Sequence, residues 1–320
     1  MAGTSQHNSG TAAASPPFLE RLLHASQKSR GLTRLLVATD FSMGADLALA
    51  RALRLPVGEG ASLTLFHAPR PVPGRGEPGD MSLEERCLRR AAGAARRRLH
   101  ERESVQVKEE LRAGDAVEEA VGVARQQEVE LVIAGRPHVP RGQELSRRGA
   151  TVRGMVRRLE APLLVVSAHP ARAYHRPLVA VDLSQDSRRA LELVLRLCPP
   201  PVGVDVLHVP EPCLSQGLWH AGMTSREHWL AVRQELELAA RKAVNHFLAP
   251  YRELGRDCEI SIRCGEPLDE ALLAEAAERG ADLLAVGMSG SEEGLSRTGV
   301  VEQMVMRANC DVLVAKAHPL

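Results

Sequence analysis

Short, continuous apolar runs alternate with longer amphipathic segments over most of the chain. Uninterrupted runs of this length are typical of strands that are buried on both faces. Two further segments, 105–111 and 259–263, alternate apolar and polar positions, as edge strands do. The pattern therefore predicts buried strands at Leu35–Ala38, Leu63–Phe66, Leu131–Ala134, Leu163–Val166, Leu178–Val181, Val204–Leu207, Leu283–Val286 and Val312–Ala315.

Segments with helical periodicity separate these strands. A regular alternation of strands and helices predicts a parallel sheet with right-handed crossovers and with helices on both faces. Ahead of the first strand, an apolar stripe that includes Phe18 and Leu22 predicts a short helix over 18–28. The helices between the strands are predicted at Ala45–Arg54, Leu83–Arg102, Ala116–Gln126, Ser187–Leu197, Arg226–Leu254 and Leu268–Glu278.

The same unit occurs twice in the chain. Thr33–Ser42 (TRLLVATDFS) matches His175–Ser184 (HRPLVAVDLS), 142 residues further on. Pro162–Pro170 matches Asp311–Pro319 at a distance of 149 residues, and the matches between these two run in the same order. An internal period of this kind indicates duplication. We therefore predict two doubly wound α/β domains with parallel five-stranded sheets, at 31–170 and 175–320, after an N-terminal extension at 1–30 that contains the short helix.

Composition argues against several classes of protein. The 41 Lys and Arg residues balance 40 Asp and Glu residues, and aromatic residues make up 2% of the chain, so it lacks the basic excess and the stacking side chains of a nucleic-acid binder. No apolar run is long enough to span a membrane. The six cysteines are dispersed and form no Cys-x-x-Cys motif, which favours a reducing compartment, and we predict a cytoplasmic location.

Polar residues and glycines follow the predicted strands at two equivalent places. The first strand of each copy leads into Asp-x-Ser, at Asp40–Ser42 and Asp182–Ser184, and the fourth strand leads into Gly135 or Gly287. Ligands of open parallel sheets bind beyond the carboxyl ends of the strands, so these residues are expected to border one crevice in each domain. Two interpretations of the aspartates stay open, a ligand contact or capping of the next helix. The glycines likewise either approach a ligand or only permit a turn.

These motifs make the chain resemble the universal stress protein family. The resemblance rests on the Val-Ala-x-Asp-x-Ser opening of both copies, on Gly265-Glu266-Pro267 and on the glycine segment after the fourth strand, and it covers both halves from about Thr33 onward. It implies the tandem type, in which the last strands, here Leu163–Val166 and Val312–Ala315, pair antiparallel and make an intramolecular pseudo-dimer. It also implies that the first-strand aspartate contacts adenine, and that a Gly-x2-Gly-x9-Gly-(Ser/Thr) loop wraps the ribose and phosphates of ATP.

The nucleotide loop that this resemblance implies is degenerate in both copies. In the second copy three glycines nearly fit: Gly287, Gly290 and Gly299. Eight residues instead of nine separate the last two, however, and Val300 replaces the hydroxyl residue. In the first copy Gly135 is followed by Pro137, which lacks an N–H donor, and by His138, which stands where the second glycine belongs.

No catalytic constellation is predicted, and no metal site. His67 and His208 recur at the ends of the second strands, but duplication explains this recurrence without a metal ion. Arginines between positions 136 and 158 surround the first loop and suggest either an anion site or a solvated basic helix face. We favour the solvated face, because acidic residues lie among these arginines.

The sequence thus predicts a non-enzymatic, cytoplasmic stress-response protein that acts by binding protein partners or a small ligand. Membranes and nucleic acids are not expected among its partners, and further dimerisation of the chain is left open. The alternative hypothesis is a switch that binds ATP or another adenine nucleotide, with slow ATP hydrolysis as a compatible activity. Its candidate residues are Asp182, Gly287, Gly290 and Gly299 in the second domain and, with a poorer fit, Asp40 and Gly135 in the first.

Overall fold

The computed structural model describes residues 31–69, 82–99, 105–137, 149–167, 172–211, 221–288 and 292–316, without the side chains of 292–297. The chain divides into Met1–Arg30 and Gly31–Leu320, and all described residues belong to the latter. The helix predicted over 18–28 lies outside the described residues, and so do His138 and Gly290.

Ten strands of the described residues form one sheet. The strands are β1 (Leu32–Ala38), β2 (Val57–His67), β3 (Gln106–Leu111), β4 (Leu131–Gly135), β5 (Leu163–Val166), β6 (Pro177–Ala180), β7 (Val204–His208), β8 (Cys258–Ile262), β9 (Leu283–Gly287) and β10 (Asp311–Ala315). Their order in the sheet is β3-β2-β1-β4-β5-β10-β9-β6-β7-β8. All neighbouring strands are parallel except β5 and β10. The sheet therefore consists of two parallel five-stranded halves with the same strand order, which confirms the predicted fold.

The antiparallel pair β5–β10 joins the two halves. Leu164 lies opposite Leu313, and the next residue, Val165, lies opposite Val312. All four side chains are buried, because each strand has a parallel neighbour on its other edge and helices above and below. This pairing leaves neither last strand as an open edge, and it is the intramolecular pseudo-dimer that the resemblance implied.

Helices cover both faces of the sheet. The helices among the described residues are α1 (Met43–Ala52), α2 (Leu83–Leu99), α3 (Ala116–Gln126), α4 (Ala150–Arg158), α5 (Gln185–Leu197), α6 (Arg226–Glu253), α7 (Leu268–Glu278) and α8 (Glu292–Arg307). On one face α3, α4, α7 and α8 contribute to a single hydrophobic cluster that runs through both halves. The alternate strand positions, such as Leu35, Val37 and Leu63, are equally buried, and α1, α2, α5 and α6 contact the same strands.

Two helices and part of one strand were not predicted. The helix α4 has only Val152, Met155 and Val156 as buried residues among arginines, so its apolar stripe is too sparse to stand out in the sequence. Its counterpart α8 was missed as well. The strand β2 begins at Val57 instead of Leu63, because its first residues are partly exposed and carry no continuous apolar run.

Candidate functional site

Each domain has a cleft at the carboxyl ends of its central strands. The first cleft has a volume of about 870 Å³ and lies where the ends of β1, β2 and β4 meet the starts of α3 and α4. The second cleft, of about 360 Å³, lies at the equivalent place between β6, β7, β9, α7 and α8. Both clefts lie where the strand order reverses, between β1 and β4 or between β6 and β9. This is the position at which open parallel sheets bind ligands.

The Asp-x-Ser turns have the same geometry in both domains. The carboxylate of Asp40 accepts a hydrogen bond from the backbone N–H of Ser42 at 3.0 Å, and Ser42 in turn caps α1. In the second domain Asp182 accepts from the N–H of Ser184 at 3.1 Å, and Ser184 caps α5. Both aspartates are exposed and line their clefts. The two interpretations of these aspartates are therefore compatible, since each one orders a turn and faces its cleft.

The residue after each aspartate has a left-handed backbone. Phe41 has φ of 60° and Leu183 has φ of 67°, values that cost a bulky side chain about 1–3 kcal/mol. The ring of Phe41 packs on His67, with 4.5 Å between the ring centroids. The same unfavourable backbone in both halves shows that the turn positions its aspartate at a cost that the surrounding structure offsets.

The recurring histidines bind to the backbone of the first strand. Nδ1 of His67 lies 2.7 Å from the carbonyl oxygen of Thr39, and Nδ1 of His208 lies 2.7 Å from that of Val181. A carbonyl oxygen can only accept, so Nδ1 carries the proton in both rings. Among the residues that the structure describes, no group of three or more His, Cys, Asp or Glu side chains could hold a metal ion.

Gly135 and Gly287 allow a helix to approach the sheet closely. A methyl group on Gly135 would lie 2.1 Å from the backbone carbonyl of Gly44 in α1. A methyl group on Gly287 would lie 2.3 Å from the backbone nitrogen of Ser187 in α5. Both contacts are far shorter than a van der Waals distance, so any larger residue would displace the helix. The packing of the scaffold therefore requires these two glycines even without a ligand.

The structure places Gly299 inside a helix. The repeat distance of 149 residues relates Ala150, the first residue of α4, to Gly299, but α8 already begins at Glu292. Gly299 is exposed, and a methyl group there would meet open space. It is not among the residues that line the second cleft. Of the candidate residues in the second domain, Asp182 and Gly287 are thus brought together, and Gly299 is not.

The first cleft contains an uncapped helix N-terminus that sequence reasoning missed. Gly149 precedes α4 with φ of 95° and no side-chain hydrogen bond to the helix, and Gly149, Ala150 and Thr151 all line the cleft. The first turn of a helix has unpaired N–H groups and a positive partial charge, which together favour anions. The 149-residue repeat distance could have identified Gly149, because it aligns α4 with the glycine-containing segment of the second copy.

The second cleft is more apolar than the first. Thr39 and Thr151 of the first cleft correspond to Val181 and Val300 in the second. Apart from these two valines, most of the apolar side chains that line the second cleft belong to leucine, valine or methionine. Its polar lining consists of Ser187 and three carboxylates, Asp182, Glu211 and Glu266.

Two described arginines of the first loop region, Arg136 and Arg157, bind to protein groups outside the cleft. Arg136 donates to the carbonyl of Ala308 in the second half, and burial lowers the pKa of its guanidinium. Arg157 donates to both carboxylate oxygens of Glu302 in α8, and the contact between Nη2 of Arg157 and Oε2 of Glu302 is 3.0 Å. Since these groups connect the two halves, they offer no free cation to a ligand.

A comparison with protein families matches these observations. The sequence model of the universal stress protein family matches residues 31–167 and again 173–316. The chain belongs to the universal stress protein family. No curated protein shows significant sequence similarity to it.

Solved structures share the fold of this universal stress protein. A universal stress protein from Archaeoglobus fulgidus DSM 4304 superposes with a TM-score of 0.61 at 18% identity, covering 90% of this chain and 97% of the other. A protein of unknown function from Pseudomonas aeruginosa PAO1 gives a TM-score of 0.56 at 15% identity, covering 90% and 93%. At such identities the similarity shows the fold alone. Among the described residues, no helix is long and apolar enough to cross a membrane.

Proposed function

We propose that this universal stress protein acts in the stress response by binding and not by catalysis, and that its first cleft takes a phosphate-bearing ligand of the adenine-nucleotide class, with ATP as the candidate. One observation carries the proposal: the uncapped N-terminus of α4 opens into the first cleft. The proposed site therefore lies in the first domain, whereas glycine spacing alone favoured the second. The cytoplasmic location and the protein partners stay predictions.

The first cleft offers complementary groups at its two ends. The exposed residues Ala150 and Thr151 begin α4, so that its first N–H groups and the Thr151 hydroxyl can donate to phosphate oxygens. Across the cleft the carboxylate of Asp40 can accept from an exocyclic amine of a base, held there by the turn at Phe41. The volume of about 870 Å³ is within the range of small-ligand sites, about 300–1,000 Å³.

The polar side chains of the first cleft already serve the fold, which supports binding in preference to catalysis. The hydroxyl of Ser42 accepts from the N–H of Ala45 as a helix cap, at 3.3 Å. Nδ1 of His67 is bonded to a backbone carbonyl. Asp115 caps α3 by accepting from the N–H groups of Val117 and Glu118. These structural contacts explain why a serine, a histidine and an aspartate occupy these positions, so none of them has to be a nucleophile or a general base.

Isothermal titration of the full chain with ATP and AMP tests the proposal. The variant Ala150→Glu places a carboxylate at the first position of α4, beside the proposed phosphates, and we expect it to raise Kd about tenfold or more, a loss of about 1.4 kcal/mol. An acidic residue in the first turn is favourable for the helix itself, so the variant should fold. The matched control is Gly299→Glu, at the equivalent position of the second domain, which should leave Kd unchanged because this site is exposed and away from the cleft.

The opposite pattern would refute the proposed site. If Gly299→Glu weakens binding and Ala150→Glu does not, the nucleotide binds in the second domain. If neither nucleotide binds the wild-type chain at millimolar concentration, nucleotide binding is not the function of the first cleft.

A further inference from the structure

We propose that the second cleft is a binding site for a small, uncharged, apolar molecule and that it rejects nucleotides and other anions. The proposal rests on the second cleft alone and holds whether or not the first cleft binds a nucleotide.

The wall of the second cleft is built from large apolar side chains. The apolar side chains of the lining that remain partly exposed, and that a ligand can contact, are Val209, Leu268 and Val300. The lining also includes almost completely buried side chains from two strands and two helices: Leu207, Leu272, Val286, Val301 and Met304. A cavity of about 360 Å³ with such a wall has room for a ligand of one or two rings. Apolar contact would provide most of the affinity, since each buried methylene contributes about 0.8 kcal/mol.

The second cleft lacks two hydroxyl groups that the first cleft has. Threonine and valine have nearly the same shape, so Val181 in place of Thr39 and Val300 in place of Thr151 mainly remove hydrogen-bonding groups. A polar ligand would therefore lose partners in the second cleft, whereas an apolar ligand would lose nothing.

The fourth helix of the second domain, α8, does not begin at the second cleft. Because α8 begins at Glu292, Thr298–Val301 lie within the helix, where N–H groups pair with carbonyl groups one turn earlier. The equivalent N–H groups of the first domain lie in the first turn of α4 and have no hydrogen-bond partner within the helix. The start of the fourth helix, which is the anion-binding feature of the first cleft, is thus absent from the second. The start of α7 at Leu268 does line the second cleft, but Asp269 and Glu270 in its first turn already place negative charge there.

Negative charge at the second cleft also disfavours anions. Asp182, Glu211 and Glu266 line it, and none of the described residues in its lining is Lys, Arg or His. Arg263 contacts Glu266 at 3.2 Å and thereby neutralises part of this charge, so the cleft repels anions more clearly than it attracts cations. An uncharged ligand fits both the apolar wall and this weakly negative rim.

Two dyes with the same apolar body test the proposal on the full chain. N-phenyl-1-naphthylamine is uncharged at neutral pH, and 1-anilinonaphthalene-8-sulfonate carries one added sulfonate, and both fluoresce when they enter an apolar site. We expect the uncharged dye to bind with a Kd at least about tenfold lower than that of the sulfonate. We expect Glu211→Lys to tighten sulfonate binding about fivefold, because it reverses one exposed charge, and to leave the uncharged dye unaffected.

A variant whose side chain fills the second cleft shows whether the dye binds there. Val300→Phe adds a ring inside the second cleft and should weaken the uncharged dye about tenfold or more. The matched control, Gln303→Phe, adds the same ring on the exposed side of α8 and should not change dye binding. Val300→Thr serves as a second variant that keeps the side-chain shape, and it should weaken the dye by a few-fold through the added hydroxyl.

Three results would overturn the proposal. The first is equal or tighter binding of the sulfonate to the wild-type chain. The second is dye binding that neither Val300→Phe nor Val300→Thr weakens, since the dye would then lie elsewhere. The third is the absence of binding of the uncharged dye to the wild-type chain.

Discussion

Replacing Arg51 by methionine should destabilise the chain by about 3–5 kcal/mol, because it removes the cation that pairs with the buried carboxylate of Asp311. Arg51 in α1 donates through Nε to Asp311 Oδ2 in β10 at 2.8 Å, and this ion pair connects the first domain to the second. The two side chains are only 6% and 1% exposed. At this depth water cannot replace the lost partner.

The remaining contacts of Asp311 set the size of the effect. Its carboxylate also accepts from the hydroxyl of Tyr174 at 2.8 Å and from the N–H of Ser167 at 2.9 Å. Both donors are neutral, so they cannot replace the positive charge of Arg51. Arg51 further donates to the carbonyl of Arg172 at 2.9 Å and lies over the Tyr174 ring at 4.1 Å, and these contacts place the loss in the upper half of the range.

Urea unfolding followed by far-ultraviolet circular dichroism measures this prediction for Arg51→Met, Asp311→Asn and the double variant. The double variant should lose less than the sum of the single variants, because the second substitution no longer leaves a buried charge unpaired. Arg125→Met is the matched control, since the pair of Arg125 with Glu160 is exposed and an exposed ion pair contributes little to stability. A loss below 1 kcal/mol for Arg51→Met, or strict additivity, would refute the reasoning.

Two further predictions concern acid stability and glycine packing. Burial alone would raise the pKa of Glu130, but hydrogen bonds from Thr33 and Arg196 outweigh it and lower the pKa from 4.5 to about 2. This stabilisation, about 2–3 kcal/mol, is present above pH 4.5 and disappears as the pH falls towards 2. Glu130→Gln should therefore make the urea concentration at the unfolding midpoint depend less on pH between these values. Gly287→Ala should lower stability by about 1–3 kcal/mol through overlap with α5. Gly299→Ala should raise it by about 0.5–1 kcal/mol, and thermal unfolding of both variants checks these signs.

The strands and the pairing of the two halves could be predicted because their signals are local or repeated. A run such as Leu131–Ala134 is apolar at every position only if both faces are covered, and the structure confirms this at β4. The antiparallel pair of β5 and β10 followed from the resemblance to a family. The collinear repeat supported it, because two copies of one unit present the same last strand.

The start of the fourth helix could not be predicted, because it depends on packing between distant segments. A nine-residue helix such as α4 is marginal in isolation, and it forms here because three apolar residues reach a cluster shared by both halves. Its N-terminal Gly149 lies against Met306 of α8, with 3.0 Å between the position of an added methyl group and the Met306 methyl carbon. No local pattern in the sequence records such a contact.

The scaffold alone accounts for the motif residues of this chain, and this limits what their presence can show. Asp40 and Asp182 order a turn that caps a helix, and Gly135 and Gly287 let that helix approach the sheet, so the fold retains all four whether or not a ligand binds. The features that separate the two clefts lie elsewhere, in the residue at which the fourth helix begins and in two threonine-to-valine differences. Because the scaffold by itself requires the motif, the helix start is the better criterion for which domain binds an anion.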